Sequence, residues 1–178
     1  MKKNSKAKVL LEGKFLRFLN DGGYEYVQRN NCSGIVIIVG MTDDKKVVFT
    51  EQYRLPVGKN VVEFPAGLVN DHAAIPNESL LAGAKREFFE ETGYKVRKMT
   101  RIVHGPVSGG STSDLVSMFK AEGLKKMGDG GGDHTENIKV HEVPFNKVDR
   151  WLANMKKKGK LIEPKVYAGL YFLSKNKS

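Results

Sequence analysis

The stretch REFFEETGY, from Arg86 to Tyr94, constrains this chain more than any other. On a helix, Glu87, Glu90 and Glu91 fall at i, i+3 and i+4 and crowd one side. Like charges repel there. The negative end of the helix dipole also disfavours acids in the last turn, which Gly93 closes as the C′ residue. A bound cation offsets both penalties, and three carboxylates on a rigid helix suit a hard divalent ion such as Mg²⁺. The helix is predicted to start near Asn77 as N-cap, with Glu78 in its first turn. Leu81, Ala84 and Phe88, with Leu80 close by, form its core face. Gly83 falls on the acidic side, where glycine costs about 1 kcal/mol relative to alanine. Either it admits a close neighbour or it is incidental.

The rest of the chain reads as strands with two late helices. Residues 8–18 and 24–29 pattern as two strands around Asn20-Asp21-Gly22-Gly23. The apolar run Ile35 to Val39 is a buried strand, followed by Val47 to Thr50 and Val61 to Phe64. Residues 68–77 are predicted to be loop. Val96 to Val103, Leu115 to Ala121 and Ile138 to Val143 follow as strands. One helix is predicted over about Phe145 to Lys157, with Val148, Trp151, Leu152 and Met155 inward. Another starts near Pro164 at N1 and carries Val166, Tyr167, Leu170 and Tyr171. Strands with one central and two late helices predict an α/β sandwich.

Length and composition suit one soluble domain of 178 residues. The single Cys32 fits a reducing compartment. The basic N-terminus lacks the apolar run of a signal peptide, and no segment has the length of a membrane span. The expectation is a cytoplasmic protein with no membrane partner. The net charge of +10 admits nucleic-acid binding or attraction for small polyanions. The lysines cluster at the start, at 156–160 and at the end, without interleaved aromatics, which favours a peripheral, solvated excess over a stacking platform.

The segment Gly67 to Tyr94 resembles the Nudix box. Glu78, seven residues, then Arg86, Glu87, Phe88, Phe89, Glu90, Glu91, Thr92, Gly93 and Tyr94 fit that signature. Its first glycine is expected at position 72, which is histidine. Gly67 of Phe64-Pro65-Ala66-Gly67 is the equivalent, with five extra residues in the loop, an insertion cheap in entropy. Gln52-Tyr53-Arg54 before the box, Gly105 to Asp114 after it, and the glycine-rich loop before Ile138 resemble the branch that hydrolyses ADP-ribose and other nucleoside diphosphate sugars. Ser108-Gly109-Gly110 departs from the Ser-Pro-Gly of the ADP-ribose enzymes, which leaves other sugars open.

The resemblance implies a Nudix fold: an α/β/α sandwich with a mixed sheet and an N-terminal β extension. It implies a division into residues 1–32, an extension that serves dimerisation, and residues 33–178, the catalytic domain of a homodimer. The implied activity is Mg²⁺-dependent hydrolysis of a nucleoside diphosphate sugar, with Mn²⁺ as a substitute cation. Glu87, Glu90, Glu91 and the carbonyl of Ala66 would be metal ligands. Glu90 and Arg86 would be catalytic, Arg86 by orienting a catalytic glutamate, and Glu78 would be structural. The general base would come from the later loop, where Asp129, Asp133, His134 and Glu136 are candidates and Glu136 matches best. Three consecutive glycines there suggest hinge freedom. Arg54, Glu63, Arg29 and Ser108 would touch substrate. The alternatives are a Nudix enzyme acting on the 5′ end of RNA or on nucleoside triphosphates, and a non-catalytic ligand-binding regulator.

Overall fold

The computed structural model describes residues 7–71, 77–132 and 137–175. In chain order it runs β1 (Lys8–Glu12), β2 (Leu16–Asp21), β3 (Tyr24–Arg29), β4 (Gly34–Met41), β5 (Lys46–Arg54), β6 (Lys59–Glu63) and β7 (Ala66–Val69). It continues with α1 (Leu80–Thr92), β8 (Tyr94–Pro106), β9 (Leu115–Lys126), β10 (Lys139–Pro144), α2 (Val148–Lys157), β11 (Leu161–Ile162) and α3 (Pro164–Ser174).

The main sheet has eight strands in the order β11-β6-β5-β4-β9-β8, with β10 paired to β5 and β7 to β4. Only β4–β9 and β11–β6 are parallel pairs, so the sheet is mixed. Alternation along β4 sets the layers. Ile37 and Val39 enter a cluster with Val148, Leu152, Met155, Val166 and Leu173 of α2 and α3. Val36 and Ile38 enter the opposite cluster with Ala84 and Phe88 of α1. The sheet is therefore sandwiched by helices, as expected. β1, β2 and β3 form a separate antiparallel sheet, the N-terminal extension.

Several boundaries differ from expectation. The strand predicted over 8–18 breaks at Gly13, whose amide donates to the carbonyl of Leu16 at 2.8 Å and turns the chain into a hairpin. The predicted 68–77 loop begins too early, because Ala66–Val69 pairs antiparallel with β4. The N-cap of α1 is Ser79, which accepts from the amide of Ala82 at 3.2 Å. Asn77 has φ 62°, outside the extended range of a cap, and Glu78 precedes the helix. Leu81 is 41% exposed. Gly83 is buried, and an added Cβ would lie 2.7 Å from Val69 Cγ2, so a close neighbour does require it. On α3 the inward residues are Val166, Leu170 and Leu173, while Tyr167 and Tyr171 are exposed. Among the described residues no helix is long and apolar enough to cross a membrane.

Candidate active site

Arg86 organises the charged end of α1. Its Nε and Nη2 donate to the two oxygens of Glu78, each at 3.0 Å. Nη2 also donates to the carbonyl of Leu68 at 3.0 Å, tying α1 to β7. Nη1 is shared by Glu87 at 2.8 Å and Glu90 at 3.0 Å. Burial of Glu78 makes this far more than a surface i, i+4 pair. The carboxylates around Arg86, Glu78 foremost, raise its already high pKa, so the guanidinium stays charged.

The acids occupy different environments. Glu90 is half exposed. Glu91 is only 2% exposed and accepts the Ala66 amide at 3.2 Å. Glu87 lies over Gly67, where an added Cβ would sit 2.0 Å from the carboxyl carbon. That contact explains glycine at this position and supports Gly67 as the first glycine of the box. Burial pushes the Glu87 carboxyl up to about 7, against the opposing pull of Arg86. A cation would draw it back down.

As the side chains stand, no group of three His, Cys, Asp or Glu among the described residues converges to hold an ion. Glu87 and Glu90 turn to Arg86, and Glu91 turns to Ala66. The donor set nonetheless fits a hard divalent cation. It is all oxygen, it gathers carboxylates where the protein supplies one guanidinium, and Gly67 keeps bulk away from Glu87.

Arg86, Glu87 and Glu90 face a cleft of about 710 Å³, with Ala66 and Gly67 on the β7 side. Arg54 and Glu63 line the same cleft from adjacent strands. Arg54 Nη2 lies 2.8 Å from Glu63 Oε2, and Nε lies 2.9 Å from the same oxygen. Burial raises the Glu63 pKa, partly offset by Arg54. Arg29 enters from β3 and pairs with Asp114 at 3.3 Å. It is held there because β3 is laced to the 108–113 loop. The Val27 amide donates to Ser111 at 2.9 Å, and the Tyr24 hydroxyl donates to Gly110 at 2.9 Å.

The structure thus gathers Arg29, Arg54, Glu63, Ala66, Arg86, Glu87 and Glu90 around one cleft. Glu91 sits behind its wall. Ser108 does not line it; the Ser108 hydroxyl is hydrogen-bonded to Ser111 at 2.8 Å in the exposed loop. Glu136, Asp133 and His134 lie outside the described residues. The glycines before them are docked on α1, with the Gly131 amide 2.8 Å from the Glu91 carbonyl, so their use is close approach as well as freedom. Sequence reasoning missed Asp71, Glu163 and Lys165, which also line the cleft, and gave no role to Asp114. Glu163, the residue before α3, and Lys165 in its first turn reach it from a helix read only for its apolar face, and no local pattern marks them.

The family model described as NUDIX domain matches residues 33–163. A methanol dehydrogenase activator of Bacillus methanolicus is 30% identical over 120 residues, 67% of this chain and 62% of that protein. An ADP-ribose pyrophosphatase of Bacillus subtilis (strain 168) is 33% identical over 111 residues, 62% of this chain and 57% of that protein. The match therefore spans about three fifths of the length of these two relatives. A GDP-mannose pyrophosphatase of Yersinia pestis (strain Pestoides F) is 33% identical over 157 residues, 83% of this chain and 75% of that protein. A solved structure described as an ADP compounds hydrolase superposes with a TM-score of 0.67 at 18% identity, covering 98% of this chain and 96% of the other. At that identity the likeness establishes the fold.

Proposed function

This chain belongs to the NUDIX domain family, and from that premise we propose that it hydrolyses the pyrophosphate of a nucleoside diphosphate sugar, ADP-ribose or another. The products are a nucleoside monophosphate and a sugar phosphate. The observation that carries this reading is the single cleft in which the Arg86–Glu87–Glu90 cluster faces the Arg54–Glu63 pair. Its size of about 710 Å³ suits a ligand with two ends, one at each charged group. The ADP-ribose and GDP-mannose pyrophosphatases among its relatives support the substrate class.

Enzymes of the family generally use a divalent cation, and we assign Mg²⁺ here, with Mn²⁺ as a substitute. Held by Glu87, Glu90, Glu91 and the Ala66 carbonyl, it would offset the charge of the diphosphate and acidify a water. The protein's own groups do the rest. Arg86 fixes the rotamers of Glu87 and Glu90 and is itself locked by buried Glu78. Arg54 offers a planar fork to a phosphate or a vicinal diol, with Glu63 holding it in place. Arg29 steers the anionic or base end. Glu136 is the proposed general base, removing a proton from the attacking water.

The enzyme is proposed to be a cytoplasmic homodimer, in which residues 1–32 are the dimerising extension and residues 33–178 the catalytic domain. Exposed Val9, Leu10, Leu11, Phe15 and Leu16 on the extension support the dimer. A second reading, action on the 5′ end of RNA, draws on the net charge of +10.

The deciding experiment offers ADP-ribose, GDP-mannose, other nucleotide sugars and triphosphorylated RNA with Mg²⁺ and assays the released phosphate groups. The expected result is turnover of a nucleotide sugar that Glu91→Gln abolishes. Full activity in Glu91→Gln would sink the ligand assignment. Cleavage of RNA alone, with steep salt dependence, would favour the second reading. No turnover of any substrate would leave a ligand-binding regulator.

A further inference from the structure

We infer that residues 126–132 are a positioning strap for the metal-binding end of α1, a role that rests on Glu87, Glu90 and Glu91 being cation ligands. The last carbonyls of a helix have no partner within it. In α1 the carbonyl of Phe89 is met by the Gly93 amide, as in an ordinary glycine C-cap. The next four are all met by one distant segment. The Gly132 amide donates to Glu90 at 3.1 Å, and the Gly131 amide donates to Glu91 at 2.8 Å. Lys126 Nζ donates to Thr92 at 3.0 Å, and the Met127 amide donates to Gly93 at 2.8 Å.

The contact leaves no room for a side chain at Gly130 or Gly93. A Cβ on Gly130 would lie 2.4 Å from the Glu91 carbonyl oxygen, and one on Gly93 would lie 2.1 Å from that of Gly128. Gly130, Gly131 and Gly132 have φ of 72°, 115° and 82°, a conformation glycine alone adopts freely. Lys126 adds a positive charge at the negative end of the dipole, where the acids also cluster. It is steered there by the Tyr94 ring, 4.5 Å from its Nζ, and by Glu142 at 3.2 Å.

Ending the helix requires only Gly93. The strap does more, because two of the carbonyls it grips belong to Glu90 and Glu91. The backbone that aims both carboxylates is thereby held from outside the helix, as outer groups hold the ligands of a metal site. Coupling of this kind is reciprocal, so a cation bound to the carboxylates tightens the strap in turn.

The test titrates metal-free protein with Mn²⁺ alone and reads free ion by electron paramagnetic resonance. Gly130→Ala and Lys126→Met are expected to weaken Mn²⁺ binding on the order of tenfold. Gly128→Ala lies in the same segment, where an added Cβ meets nothing within 4 Å, and keeps the parent affinity. Mg²⁺ slows amide exchange at Gly131 and Gly132 in the parent. Parent-like Mn²⁺ affinity in folded Gly130→Ala and Lys126→Met overturns the proposal, as does amide exchange indifferent to Mg²⁺. Should Gly130→Ala fail to fold, Lys126→Met decides, since it adds no bulk to the glycine contact. Glu91→Gln separates the two readings. If it binds Mn²⁺ like the parent, the ligand assignment fails and the strap with it. If it is weakened while the strap variants are not, the strap alone fails.

Discussion

Glu87 is the residue at which stability and the proposed function conflict. It is buried over Gly67, and its charge is only partly answered by an arginine that also serves Glu78 and Glu90. Burial raises its pKa to about 7, so its ionisation costs the metal-free fold stability as pH climbs from the ordinary carboxylate range through that value. A carboxyl raised in the fold favours the native state only at low pH. Without metal, Glu87→Gln is therefore expected to be more stable than the parent at pH 8 and equal to it near pH 4. Urea unfolding at the two pH values in a chelator measures this. A variant less stable than the parent at pH 8 would mean that the Arg86 pair outweighs burial. Glu78 illustrates the opposite case. It is buried but fully answered by Arg86, so it can serve as scaffold.

At the scale of the element, α1 is fastened at both ends by different means. Its start depends on the local hydroxyl of Ser79, its end on a left-handed Gly93 pressed against Gly128. Ser79→Ala removes one hydrogen bond and should cost about 1 kcal/mol. Gly93→Ala should cost more, because it adds the strain of φ 72° to a collision with the Gly128 carbonyl. Chemical denaturation of the two variants checks the order, and equal costs would show that the Gly128 contact yields without strain. The start of the same helix has a nonlocal cause. Asn70 accepts the Glu78 amide at 2.6 Å and donates to its carbonyl at 3.1 Å, which holds Glu78 outside the helix. That contact spans eight residues and leaves no periodic trace.

At the scale of the whole molecule, the three-stranded extension is the part least occupied within its own chain. Val9, Leu10, Leu11, Phe15 and Leu16 are exposed, Leu11 at 70%, yet its third strand is fixed to the 108–113 loop and carries Arg29 to the cleft. A second copy covering that surface would explain both. The parent is expected to sediment as a dimer and Leu11→Glu as a monomer. A monomeric parent at micromolar concentration would remove the dimer. Elsewhere a buried clip joins distant parts. Glu51 on β5 binds His141 on β10 at 2.9 Å and Lys160 after α2. Burial works to raise its pKa, but these two partners hold it below the ordinary carboxylate value.

The sequence by itself determined the family and pointed to the chemistry proposed for it. The reason is that the Nudix box is local: Glu78, Arg86, Glu87, Glu90, Glu91 and Gly93 lie on or beside one helix, where fixed spacing becomes fixed geometry. It also indicated the layers, because the unbroken apolar run of β4 marks a strand covered on both faces and the apolar face of α2 is a periodic signal. What only the tertiary structure decided is nonlocal. The Gly67–Glu87 contact joins β7 to α1, Arg29 meets Asp114 across the sheets, and Glu163 and Lys165 arrive at the cleft from the start of α3. The backbone hydrogen bonds of residues 127–132 to α1 depend on main-chain atoms that every residue type but proline shares, so composition could mark their glycines but not their partners.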